Sequence, residues 1–279
     1  MKKQILAALD GSRAGSHVAD WAAARADALG LALNLIHVVP PDWAFRLPHD
    51  RTLAMDRAKD LLTSEAARLS KVLPSLEIKS TQLSGEPAET IAALSAEADM
   101  VVVGTDRGPG TEGQGYGSVS FQIALTSNSP VAVVPDIAAA NRRGVVVGVD
   151  GSPDSLRAME VAAAEASRLR EELVLVHASG PGPRFPTEGF TTNSDVMGDS
   201  VRWVKERNPA LNVREKLDLD RSPGDALVAA AKDAQLLVMG CRGRGGLRVL
   251  LGSVAQHVLL NVQSPTILTR PDPNMRQGN

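Results

Sequence analysis

Residues 240–255 read GCRGRGGLRVLLGSVA. Four glycines and three arginines stand ahead of a Leu-Leu-Gly-Ser-Val run, directly after the apolar stretch QLLVM. Glycines weaken regular structure, so an ordered chain keeps them where backbone bends sharply or approaches something closely. Arg242, Arg244 and Arg248 imply that the something is anionic. A phosphate chain fits on three counts. Glycines let backbone N–H groups converge on oxygens with no Cβ in the way. Gly252-Ser253-Val254 opens the following helix, so unpaired N–H groups and the positive helix end face the ligand. That end favours an anion by roughly 0.3–1 kcal/mol, up to ~2 when partly buried. The Ser253 hydroxyl supplies a further donor.

The elements that must position this loop are written twice. QILAALDGS (residues 4–12) matches GVVVGVDGS (144–152), each an apolar run ending in Asp-Gly-Ser. At the same offset LNLIHVV (33–39) matches LVLVHAS (173–179), aligning His37 with His177. LSGEPAETIAAL then resembles DRSPGDALVAAA, DMVVVGTDRG resembles QLLVMGCRG, and YGSVSFQIALTSNSPVAVVP resembles LGSVAQHVLLNVQSPTILTR. Preserved order makes this a tandem duplication: one domain over residues 1–136, a linker over 137–143, a second domain over 144–271 and a tail over 272–279. Continuous apolar runs such as MVVVG imply strands buried on both faces, hence parallel sheets. The alanine-rich stretches between them carry helical spacing. Ser12 and Ser152 are expected helix N-caps, and Pro153 occupies the first helical position, where its missing N–H costs nothing. Five strands per half with helices between them give an α/β chain of two tandem doubly wound domains. Ligands of such sheets bind at the carboxyl ends of the strands. The glycine stretch follows the fourth strand of its half, and Asp150 ends the first.

DGS after strand one, a histidine ending strand two, and G-x-x-G with a spacer of nine before G-S together resemble the universal stress protein family in its tandem, ATP-binding form. The resemblance covers nearly the whole chain. It implies five-stranded parallel sheets of order 3-2-1-4-5 and an adenine nucleotide, ATP, as ligand; Mg2+ can accompany the phosphates. In the second half it nominates Asp150, Ala178, Gly240, Arg242, Gly243, Gly252, Ser253 and Val254. In the first half it nominates Asp10, Val38, Val39, Gly104, Arg107, Gly108, Gly117, Ser118 and Val119. Both halves depart from the pattern. Eight residues separate Gly243 from Gly252, and Arg107 takes the place of the second glycine in the first half. The first loop carries Glu112 and no further arginine, so the second site is expected to bind triphosphate more tightly. The first half has one extra hydroxyl, Ser120, where the second has Ala255.

Bulk properties narrow the rest. The 279 residues are 43% apolar and 22% charged, the profile of a globular chain. Aromatic residues make up only 3% and the net charge is −2, which disfavours stacking on nucleic acid and attraction to polyanions. No apolar run has the length of a membrane span. The single Cys241 cannot form an intrachain disulfide, which fits a reducing cytoplasm. Five scattered histidines (His17, His37, His49, His177 and His257) show no metal-ligand spacing.

Other signals are read as structural. GPGTEG (108–113) spells G-x-G-x-x-G, but the duplicate half does not repeat it, and no P-loop pattern is present. Asp10 and Asp150 either brace their turns or touch ligand, with ligand contact preferred. His37 and His177 are expected as satisfied core residues, and Cys241 as packing rather than nucleophile. Trp21, Trp43 and Trp203 are expected against the sheets. PPDWAFRLPHD (40–50) and GPGPRFPTEGFTTNSD (180–195) are expected near the ligand edge, where each suits a lid.

No base with paired carboxylates, triad or metal cluster stands out. The expected function is therefore nucleotide binding in stress response or signalling, acting on an unidentified protein partner, with at most weak hydrolysis and no catalytic residue assigned. The competing readings are a scaffold that binds no ATP and a slow adenine-nucleotide hydrolase. The halves are expected to pair within the chain through PVAVVP and PTILTR, since an uncovered edge strand favours pairing. Association into a homodimer is left open by the sequence.

Overall fold

The computed structural model describes residues 4–105, 119–136, 141–180, 193–243 and 251–270. The chain divides into two compact units, Met1–Asp136 and Ile137–Asn279. Among the described residues each unit has five strands, all parallel where paired. Unit 1 runs β1 (Gln4–Ala8), α1 (Arg13–Leu29), β2 (Ala32–Val39), α2 (Pro48–Val72), β3 (Ile78–Ser84), α3 (Pro87–Leu94), β4 (Met100–Gly104), α4 (Val119–Thr126) and β5 (Val131–Val134). Unit 2 repeats it with β6 (Val145–Gly148), α5 (Pro153–Leu169), β7 (Leu173–Ala178), α6 (Asn193–Arg207), β8 (Val213–Asp218), α7 (Pro223–Ala231), β9 (Leu236–Gly240), α8 (Ser253–Leu260) and β10 (Thr266–Thr269).

The strand order in unit 1 is β3-β2-β1-β4-β5, and unit 2 follows the same plan as β8-β7-β6-β9-β10. Registers pair Ile5 with Leu33 and Met100, and Val145 with Leu173 and Leu236. The first strand of each unit is thus central, flanked by the second and the fourth. Chain direction reverses its progress across the sheet between those two neighbours, and there the carboxyl ends open a crevice.

Composition explains the layers. Central strands are covered on both faces, so β4 and β9 are apolar almost throughout. The outer strands β3 and β8 have one neighbour each within their unit and carry exposed polar residues such as Lys79, Ser80, Arg214 and Glu215. Ala19, Ala22, Ala23 and Ala26 of α1 are fully buried, as are Ala158, Ala162 and Ala166 of α5. Small side chains let these helices lie close on the sheet while keeping high helix propensity.

The turn after the first strand is built alike in both units. Gly11 and Gly151 adopt φ of +80° and +77°, a region that glycine enters without strain. Asp10 Oδ1 accepts from Ser12 N at 2.8 Å, and Asp150 Oδ1 from Ser152 N at 2.9 Å. Both aspartates therefore brace their turns. The caps then diverge. The Ser152 hydroxyl accepts from Ser155 N at 3.1 Å, whereas Ser12 sits at the N-cap of α1 with no side-chain cap bond. Ser152→Ala is expected to cost about 1 kcal/mol and Ser12→Ala a few tenths. Urea unfolding of the two variants checks the contrast.

Trp21 and Trp203 carry Arg25 and Arg207 over their rings at 5.6 and 4.4 Å. Trp43 does not pack on the sheet: it stands 79% exposed in a short 3-10 turn between β2 and α2. The proline at 48 starts a helix there, so most of the first proline-rich stretch is ordered structure, and the segment 181–192 of the second lies outside the described residues. Of the expected linker, residues 141–143 belong structurally with unit 2: Arg143 N donates to Asp233 O at 3.0 Å, and its guanidinium meets Glu171.

Candidate functional site

A cavity of 520 Å3 opens at the carboxyl edge of the unit 2 sheet, in the range of about 300–1,000 Å3 usual for small-molecule sites. Strand ends supply one wall. Val149 and Asp150 follow β6, Val176 and Ala178 end β7, and Met239 and Gly240 end β9. Pro223 and Leu227 of α7 close an apolar side. The opposite side is polar backbone: Cys241, Arg242 and Gly243 after β9, then Gly252, Ser253 and Val254 where α8 begins.

The two backbone segments are tied to each other. Gly252 N donates to Cys241 O at 2.8 Å, and the Gln256 side-chain amide holds Leu251 O at 3.1 Å. Gly252 is the N-cap of α8 and offers no side-chain cap bond. The first N–H groups of a helix have no acceptor within the helix. Those of Ser253, Val254 and Ala255 therefore belong to the polar end of the cavity, together with the positive end of the helix.

Three glycines around this cavity sit in close approach to their neighbours. A Cβ on Gly243 would lie 2.7 Å from Asp150 Oδ2, and one on Gly240 would lie 2.9 Å from Asp154 Cβ and 3.0 Å from Asp154 backbone atoms. The sequence places Arg107 where Gly243 stands in the repeat. Packing on the far side is equally tight. A Cβ on Gly224 would come within 2.6 Å of the His257 ring, and His257 Nε2 pairs with Asp225 at 2.9 Å. This contact sets α7 against α8 and keeps the apolar wall in place. The Ser222 hydroxyl and His257 both stabilise the Asp225 carboxylate and lower its pKa.

All eight residues nominated in the second half line this cavity: Asp150, Ala178, Gly240, Arg242, Gly243, Gly252, Ser253 and Val254. Asp150 thus both braces its turn and faces the cavity. In the first half, Asp10, Val38, Val39 and Gly104 lie at the corresponding strand ends, and Val119 opens α4. Arg107, Gly108, Gly117 and Ser118 lie outside the described residues, as does the G-x-G-x-x-G of residues 108–113. Ser120 is not a spare donor, because its hydroxyl is committed to Gly104 O at 2.6 Å. Both strand-two histidines are structural as expected: His37 Nδ1 lies 2.7 Å from Leu9 O, and His177 Nδ1 lies 2.6 Å from Val149 O.

Cys241 is 1% exposed, and burial pushes its thiol pKa upward. It is a weak nucleophile at neutral pH. Sequence reasoning missed the apolar wall, including Val176, Pro223, Leu227 and Met239. The only local signal was Ser-Pro-Gly-Asp, which marks the start of α7 but not what its next turn faces.

Comparisons with known proteins agree with this architecture. The model of the universal stress protein family matches the chain twice, over residues 1–135 and 141–270. The universal stress protein Rv2005c of Mycobacterium tuberculosis is 33% identical over 288 residues, covering 95% of this chain and 96% of that relative. The universal stress protein Rv1996 of the same species is 32% identical over 301 residues, covering 95% and 94%. Among solved structures, a universal stress protein from Archaeoglobus fulgidus superimposes with a TM-score of 0.76 at 18% identity, covering 98% of each chain. The chain belongs to the universal stress protein family and is a tandem, two-domain member of it. Among the described residues, no helix is long and apolar enough to cross a membrane.

Proposed function

We propose that unit 2 binds ATP and that the chain acts in stress response through a nucleotide-dependent interaction with a protein partner, with little or no hydrolysis. The observation that carries this reading is the cavity itself. An apolar side suited to a base and a glycine-lined backbone cradle suited to phosphates meet within one volume of 520 Å3. The base would lie against Val176, Ala178 and Leu227, near the β7 end. The phosphates would lie between Arg242–Gly243 and the start of α8, where dipole and N–H groups favour anions. Mg2+ would be carried on the phosphates rather than in a protein cage.

Binding without turnover follows from the lining. Among the described residues that line the cavity, Asp150 is the one carboxylate and no histidine is present. Asp150 already accepts the Ser152 N–H, and a carboxylate engaged in bracing its turn is a poor activator of water. Calorimetric titration of Mg·ATP into nucleotide-free chain is expected to show a tight site. The absence of saturable binding by calorimetry and by equilibrium dialysis would remove the reading.

A further inference from the structure

Beside Gly240 of unit 2 lies a small polar network centred on Asp154. Asp154 is the second residue of α5, and its side chain is 14% exposed. Its Oδ2 accepts the Nε–H of Arg242 at 3.3 Å, and the Cys241 thiol lies 3.7 Å from the same oxygen. The Arg270 guanidinium, just after β10, lies near enough to Cys241 and Asp154 to act on both electrostatically. The backbone of Gly240 packs directly on Asp154, in space where a Cβ has no room. Arg242 lines the cavity, whereas Asp154 and Arg270 do not.

An acid at a helix start is ordinary, since it suits the helix dipole. Its coupling to a cavity residue is not. The repeat makes the point from sequence. Ala14 stands where Asp154 does, Asp106 where Arg242 does, and Pro135 where Arg270 does. All three members of the charged group are exchanged together between the halves. A carboxylate near a phosphate site repels the ligand unless it holds a cation in place. Two guanidinium groups against one carboxylate leave this edge net positive.

We propose that Asp154 is the positioning residue for Arg242, fixing its guanidinium at the phosphate end of the cavity so that the site selects nucleoside polyphosphates over the nucleoside. The inference rests on the nucleotide reading of the cavity. A long flexible side chain that is ordered before binding loses less entropy when the ligand arrives. Nε is engaged with Asp154, so a polyphosphate would be met by the terminal nitrogens, whose charge-assisted bonds to phosphate are strong. The selectivity therefore appears in the phosphates and not in the base.

The test is calorimetry on the full chain with adenosine and with Mg·ATP at fixed ionic strength. The variants are Asp154→Asn, Asp154→Glu, Arg242→Met and the double Asp154→Asn/Arg242→Met. Asp154→Asn is expected to bind ATP about tenfold more weakly, the equivalent of one lost charge-assisted contact. Adenosine affinity should stay within about twofold, and Asp154→Glu should restore most of the loss. The double variant should be no weaker than Arg242→Met alone, as expected when one residue acts through the other. Equal losses for adenosine and ATP would reduce Asp154 to a structural support and overturn the inference. So would unchanged ATP affinity, or tighter binding, which would make Asp154 a competitor for Arg242. A wild-type chain that binds neither ligand would instead overturn the nucleotide reading, and the inference with it.

Discussion

Gly252→Val is expected to weaken ATP binding at least thirtyfold, about 2 kcal/mol, while the chain stays folded. Gly252 has φ of −72° and ψ of 155°, extended backbone that any residue adopts, so the substitution brings no backbone strain. A Cβ there would find Arg242 Cα and Cys241 O at 3.5 Å and Gly243 N at 3.8 Å, ordinary contact distances. All three neighbours belong to the loop that bounds the polar end of the cavity. The branched γ-methyls must then extend into the gap between that loop and α8, where the phosphates are proposed to sit. Binding measured beside thermal melting separates the two effects. Wild-type affinity in a folded Gly252→Val chain would mean that the phosphates lie elsewhere.

Gly240→Ala is expected to act on the fold instead, destabilising unit 2 by about 3 kcal/mol, the upper end of the usual cost of overpacking. The added methyl would meet Asp154 Cβ at 2.9 Å and the Asp154 carbonyl carbon and oxygen at 3.0 Å. Two of these atoms are helix backbone, so relief requires α5 to shift off β9. The paired position in unit 1 is the control. A Cβ on Gly104 would meet only the Val18 side chain at 3.3 Å and a carbonyl at 4.0 Å. Gly104→Ala is therefore expected to cost about 1 kcal/mol or less. Denaturant unfolding of both variants measures the difference; equal costs would mean that the close approach of α5 to β9 is not as described.

These two glycines also show how much the sequence could tell. Their place after an apolar strand and before a helix was legible, because central parallel strands are buried on both faces and read as unbroken apolar runs. The duplication made the architecture clear twice over, and the Asp-Gly-Ser turn left bracing by Asp150 as the less favoured alternative to ligand contact, whereas Asp150 braces its turn and also lines the cavity. Pro223, Leu227 and Met239 were not legible as a site. They are apolar residues on different elements, and nothing local distinguishes a cavity wall from core. Asp154 was hidden for a related reason: an acid in the first turn of a helix is explained by the dipole before any partner across the fold is considered. Trp43 was misplaced because three scattered tryptophans were read alike as packing against the sheets, and nothing local marked Trp43 as the exposed one. In unit 2 the contacts that shape the cavity are close approaches between strand ends and a helix start, and these exist only once the sheet is wound.

The central claim is that the unit 2 cavity holds ATP. The most direct test is to denature freshly purified chain, identify any released nucleotide by mass spectrometry and quantify it per chain, beside the same preparation of Gly252→Val. The account predicts ATP or ADP near one equivalent or more in the wild type and a clear loss in the variant. A wild-type chain that releases no nucleotide and fails to take up added Mg·ATP would contradict it, and would leave the cavity as part of a scaffold.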